Sequence, residues 1–121
     1  MKWVRKISAT PEANQKFYLT FDDGPVRDGT DGVLKILEQF GMKATFFVVA
    51  KQARFYPTLL KKIVSEGHTI GNHSSDHGYK NFFKGKNALK KWISDSEAVI
   101  TDVIGSPTVG FRPPAGVVTP E

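Results

Sequence analysis

Ala44-Thr45-Phe46-Phe47-Val48-Val49 is an uncharged run rich in aromatic and β-branched side chains. Near-continuous apolarity without alternation is how a strand covered on both faces reads. Upstream, Val33, Leu34, Leu37 and Phe40 recur at helical spacing, and Gly41 follows as a C′ residue. Downstream, Pro57 opens a second helix with Leu59, Leu60, Ile63 and Val64 on its inner stripe, and Gly67 stops it. Further out, Phe17-Tyr18-Leu19-Thr20-Phe21 reads as a strand and Thr69-Ile70-Gly71-Asn72 as a weaker one. Leu89, Trp92, Ile93, Val99, Ile100 and Val103 mark a long amphipathic helix ended by Gly105 and Pro107, before a fourth strand at Thr108–Arg112. The order β-α-β-α-β-α-β predicts an α/β fold with parallel strands and right-handed crossovers. Residues 1–15 show no periodicity and are expected to be a lead-in, with one domain over residues 16–121.

Bulk properties narrow the function. The chain has 121 residues, enough for one domain, with 40% hydrophobic and 24% charged side chains, as in ordinary globular proteins. No apolar run approaches the ~20 residues of a membrane span. Met1-Lys2-Trp3-Val4-Arg5-Lys6-Ile7 lacks the apolar stretch of a signal peptide. The formal charge is +5, but Lys and Arg are scattered, which describes a solvated basic surface and no nucleic-acid footprint. Without cysteine there are no disulfides, thiolate ligands or cysteine nucleophiles.

The chemistry-bearing residues cluster in this layout. Asp22 and Asp23 follow the first strand, His73 and His77 the third, and Arg112 ends the fourth. All fall at the C-terminal ends of parallel strands, the edge where α/β barrels and open α/β sheets place their sites. His73 and His77, four positions apart, would share one helix face with Cβ atoms about 5–6 Å apart, close enough to bind one metal ion. Asp23 is the natural third ligand, which leaves coordination positions for water and substrate. Asp22 is then the spare carboxylate that takes a proton from water. Arg112 would hold Asp22 by a charge-assisted hydrogen bond. Taken singly, Asp-Asp-Gly-Pro is also a common turn, and His-x-x-x-His also fits two surface histidines. His68 precedes its strand and reads as structural, whereas Lys51, Gln52 and Arg54 follow the second strand on the site's rim and read as solvated charge, with substrate contact as the alternative.

Thr20-Phe21-Asp22-Asp23-Gly24-Pro25, His73-Ser74-Ser75-Asp76-His77 and Arg112-Pro113-Pro114-Ala115-Gly116, in this order, resemble the three leading motifs of the polysaccharide deacetylase family. This is the nodulation-protein-B-like domain of carbohydrate esterase family 4. The resemblance implies a deformed (β/α) barrel, here partial with about four βα units, and a divalent metal, zinc foremost, with cobalt, nickel or manganese as alternatives. It implies removal of N-acetyl or O-acetyl groups from a glycan such as peptidoglycan or a chitin-like polymer. It makes Asp22 the base, Asp23, His73 and His77 the ligands, and Arg112 the residue that orients Asp22. Pro114, Ala115 and Gly116 would line the substrate, a backbone N–H after Pro114 helping to hold the oxyanion. Position 115 is Ala where the family usually carries an aromatic residue.

The family's later motifs, including the one with the general-acid histidine, have no match in residues 1–121, so the chain is expected to cover the leading part of the domain. Two other readings stay open: a metal- or glycan-binding fragment without turnover, and a cyclic amide or imide hydrolase of the same fold. The resemblance also implies a bacterial, extracytoplasmic parent protein. Uncovered barrel edges would favour self-association.

Overall fold

A computed structural model describes residues 3–4, 18–76 and 85–113. The elements, in chain order, are β1 (Trp3–Val4), β2 (Leu19–Asp22), α1 (Gly29–Gln39), β3 (Ala44–Val48), α2 (Ala50–Phe55), α3 (Pro57–Ser65), β4 (Thr69–Asn72) and α4 (Lys86–Ile104). The sheet order is β1-β2-β3-β4, with β2, β3 and β4 parallel and β1 antiparallel to β2. The expected parallel α/β layout is therefore present. The stretch expected to be a lead-in contributes β1, whose two residues are too few to show a period.

Register decides what each face does. Phe21, Phe46 and Ile70 lie side by side across β2, β3 and β4, as do Asp22, Phe47 and Gly71 one position later. Side chains alternate along a strand, so these two rows face opposite ways. The first row meets the helices. Phe46, Val48 and Ile70 pack with Leu34 and Leu37 of α1, Ala50 and Ala53 of α2, Leu60 and Ile63 of α3, and Ile100 of α4. Phe21 stacks on Phe46 with centroids 5.2 Å apart. The second row carries Asp22, and the site is built on that face.

The helices end as their sequences direct, with Gly41 (φ 64°), Gly67 (φ 89°) and Gly105 (φ 77°) in left-handed conformations just past α1, α3 and α4. Two residues expected on inner stripes are not there. Phe40 caps α1 and is exposed, and Val64 lies at the edge of its stripe, also exposed. One helix has no signature in the sequence. α2 starts directly after β3, and its six residues are too few to establish an amphipathic period.

The expected fourth strand reduces to one parallel bridge, between Asn72 and Phe111. Val109 N–H donates to Ile70 O, Asn72 N–H to Gly110 O and Arg112 N–H to Asn72 O, at 3.0, 2.8 and 2.8 Å. The segment runs beside β4 as a strand would. Pro113, which lacks an N–H, follows directly and limits further pairing.

Candidate active site

Asp22 ends β2 almost fully buried. Asp23 would ordinarily point to the opposite face, but its φ of 74° breaks the alternation as the strand ends. Both carboxylates thereby approach one imidazole. His73 Nε2 is 3.2 Å from Asp23 Oδ1 and 4.0 Å from Asp22 Oδ2. His73 itself is 2% exposed, so this meeting takes place out of water.

The histidine is tied down on its other side. Its Nδ1 lies 2.7 Å from the Arg112 carbonyl oxygen, which can only accept, so Nδ1 carries the proton. In the neutral ring Nε2 then turns its lone pair towards Asp23. Two electron-rich atoms at 3.2 Å require a cation, either a proton on Nε2 or a metal ion. An imidazole nitrogen and a carboxylate oxygen, on a ring whose other nitrogen is anchored to a carbonyl, are donors that fit a zinc-type ion. Among the described residues no group of three or more His, Cys, Asp or Glu side chains is gathered to hold a metal. His77, the third expected ligand, lies outside the described residues, as do Pro114, Ala115 and Gly116.

One expectation about the histidines is corrected. Residues 73–76 are not helical; they form a loop with Ser74 at φ 83°. Hydrogen bonds to neighbouring elements hold this loop in place of an internal helical ladder. His73 N–H donates to Val48 O, while Ala50 and Lys51 N–H donate to Ser74 O and Ser75 O, each at 2.8 Å. The first N–H groups of α2, which have no partner within their own helix, are satisfied by the histidine loop. Gln52 Nε2 reaches Pro25 O at 3.2 Å, joining α2 to the turn after Asp23 as well.

Arg112 connects the two halves of the site. Its Nη1 donates to Asp22 Oδ1 at 3.0 Å and to Thr20 Oγ1 at 3.1 Å. Its backbone carbonyl accepts from His73. One residue therefore orients the buried carboxylate through its side chain and the imidazole through its backbone.

Sequence reasoning missed Asn72 and Glu97. Asn72, 1% exposed, accepts the Ser74 N–H on Oδ1 at 2.8 Å and donates Nδ2 to Ser96 Oγ and Glu97 Oε1. Glu97 on α4 also accepts from Thr108 N–H, Thr108 Oγ1 and Thr101 Oγ1. Burial pushes the Glu97 carboxyl up, but the hydrogen bonds from Thr108, Asn72 and Thr101 outweigh it and hold the group below its ordinary value. Glu97 thus fixes the segment that delivers Arg112. The available signal was a polar residue, Asn72, in a strand whose helix-side row is otherwise apolar. His68 sits at the far end of the sheet, its Nδ1 accepting Ala44 N–H at 3.1 Å, which agrees with a structural role.

Both the sequence and the fold match known proteins. The sequence model of one family, described as polysaccharide deacetylase, matches residues 9–121. The chain belongs to the polysaccharide deacetylase family. It is 37% identical over 113 residues to the peptidoglycan-N-acetylmuramic acid deacetylase PdaC of Bacillus subtilis, covering 93% of this chain and 24% of that protein. The solved structure of that deacetylase superposes with a TM-score of 0.75 at 36% identity, over 83% of this chain and 49% of the other. A peptidoglycan-N-acetylglucosamine deacetylase of Bacillus cereus is 34% identical over 120 residues, 96% of this chain and 43% of that one. A family 4 carbohydrate esterase from Streptomyces lividans, solved with acetate, has a TM-score of 0.75 at 33% identity, over 83% of this chain and 51% of the other. The fold is thus part of the polysaccharide deacetylase barrel. The chain spans 24% of the length of the Bacillus subtilis relative and 43% of that of the Bacillus cereus one. Among the described residues no helix is long and apolar enough to cross a membrane.

Proposed function

We propose that this polysaccharide deacetylase chain carries the base and metal-ligand half of an enzyme that removes N-acetyl groups from the amino sugars of peptidoglycan. The observation that carries this reading is the meeting of the Arg112-bound Asp22 carboxylate with the Asp23–His73 pair. The Bacillus relatives, both peptidoglycan deacetylases, supply the substrate class.

Asp22 acts as general base. Arg112 occupies Oδ1, so Oδ2, on the His73 side, is the atom that takes the proton from an attacking water. Because Oδ1 is fixed, the carboxylate is preorganised and loses little rotational freedom on reaction. His73 and Asp23, with His77, would hold a divalent cation, zinc being favoured by the nitrogen and oxygen donors. Such an ion, when bound, supplies Lewis acidity towards the acetyl carbonyl and acidifies a neighbouring water. The proton for the departing amine does not come from His68, whose ring is committed to Ala44 away from the strand ends that carry the site.

The test is acetate release from peptidoglycan and from N-acetylglucosamine oligomers, with zinc added, by the chain and its Asp22→Asn variant. Release that depends on Asp22 is expected. Equal release by both would remove Asp22 from the mechanism, and binding of zinc or glycan without acetate would identify a non-catalytic half.

A further inference from the structure

The Asp22 row contains a second device. Phe47 stands next to Asp22 on β3, and Gly71 stands next to Phe47 on β4. The Phe47 ring leans over Gly71 so closely that a Cβ added there would lie 2.4 Å from both Cδ1 and Cε1 of the ring. No real Cβ tolerates such an approach, so the ring and a side chain at 71 cannot both keep these positions. Gly71 has no left-handed backbone that would require glycine. Space, not φ, demands it. On the ring lies the guanidinium of Arg112, its Cζ 4.1 Å from the centroid. From there Nη1 reaches Thr20 and Asp22.

We propose that Phe47, seated over Gly71, is a positioning residue that supports the Arg112 guanidinium and through it aims the Asp22 carboxylate. The physical reason is geometric. Two hydrogen bonds from one nitrogen hold that end of the guanidinium, and a ring 4.1 Å from Cζ limits how far the group's centre can be displaced. Phe47 touches no reacting atom; it acts through Arg112. Gly71 leaves the space that lets the ring occupy its place, and this explains a glycine in the middle of a short strand. The proposal rests on Asp22 acting as base in deacetylation, and its test keeps the two separable.

The first readout needs no turnover. In arginine-labelled protein, the Arg112 side-chain N–H resonance, assigned by its loss in Arg112→Lys, should be displaced by the ring current. The displacement should vanish in Phe47→Leu and return in Phe47→Tyr. The second readout is deacetylation: Phe47→Leu should lose roughly ten- to a hundredfold in kcat with KM little changed, and Phe47→Tyr should recover most of it. Gly71→Ala should resemble Phe47→Leu. If seating the ring is its only role, adding Gly71→Ala to Phe47→Ala, which removes every ring atom the new Cβ would meet, should change little further. Should Gly71→Ala alone fail to fold, that pair of variants carries the test.

The proposal is overturned if Phe47→Leu keeps the Arg112 resonance in place, or if it keeps wild-type kcat in an active enzyme. Should the wild type release no acetate from any glycan, the deacetylase reading falls, and the resonance alone decides whether Phe47 supports Arg112.

Discussion

Replacing Glu97 by Gln preserves shape and removes only a charge and one acceptor, yet the structure requires it to be costly. Oε1 accepts from Asn72 Nδ2 at 3.2 Å and Thr108 Oγ1 at 2.7 Å; Oε2 accepts from Thr108 N–H at 3.0 Å and Thr101 Oγ1 at 3.3 Å. The hydroxyls can rotate, but the Thr108 N–H cannot. Asn72 cannot turn its amide over without losing the Ser74 N–H. Whichever way the substituted side chain is placed, its amide nitrogen therefore faces a fixed donor. One bond to a partly buried group is lost, about 1–3 kcal/mol, and those that survive lose their charge assistance. The expected destabilisation at pH 7 is about 2–3 kcal/mol, read as a lower urea midpoint with an unchanged m-value.

The pH dependence gives an independent check on Glu97. Hydrogen bonds hold its folded-state pKa below the ordinary 4.5 despite burial, so the unfolded chain binds the proton more readily. Stability from this group is then present above the ordinary carboxylate range and drains away as pH falls through the depressed folded value. The gap between wild type and Glu97→Gln should be full near neutrality and shrink in acid. A variant within about 0.5 kcal/mol of wild type at pH 7, or a gap that stays constant into acid, would refute the reasoning.

Asp22→Asn should lower acetate release by about 10²–10⁴ while zinc affinity, measured by calorimetry, stays near wild type; lost affinity would move Asp22 into the ligand set. His73→Ala should weaken zinc binding by at least about tenfold, and unchanged binding would exclude His73 as a ligand. His68 is held below its ordinary value by burial first and by Lys43 second, and protonating Nδ1 would break its bond from Ala44. Its contribution to stability is therefore present above about pH 6.5 and lost as pH falls through the lower folded value. His68→Leu should cost about 1–3 kcal/mol near neutrality by orphaning the Ala44 N–H, and should flatten the stability profile on the acid side of neutrality; an unflattened profile would assign that dependence to another group.

Much of this is legible along the chain. Ala44–Val49 reads as a buried strand because its apolarity is local, and the helix stops at Gly41, Gly67 and Gly105 read correctly because a left-handed C′ residue is a local demand. The positions of Asp22, Asp23, His73 and Arg112 at one sheet edge follow from parallel order alone, and the Arg112–Asp22 bond joins residues 90 positions apart that this order brings together. Short elements escape: β1 and α2 have too few residues for a period to form.

What only the tertiary structure decided is how side chains from different strands share one place. That Asp23 turns back beside Asp22 depends on a φ of 74°, which the end of β2 imposes and no spacing announces. That His73 sits in a loop and not on a helix follows from α2 offering its first N–H groups to Ser74 and Ser75. Phe47, Gly71 and Glu97 acquire their meaning from neighbours on other elements. The sequence by itself determined which chemical groups reach the edge, because strand order and direction are written in local pattern. Their orientation was set by packing and hydrogen bonds between distant segments, whose geometry exists only once the chain has closed on itself.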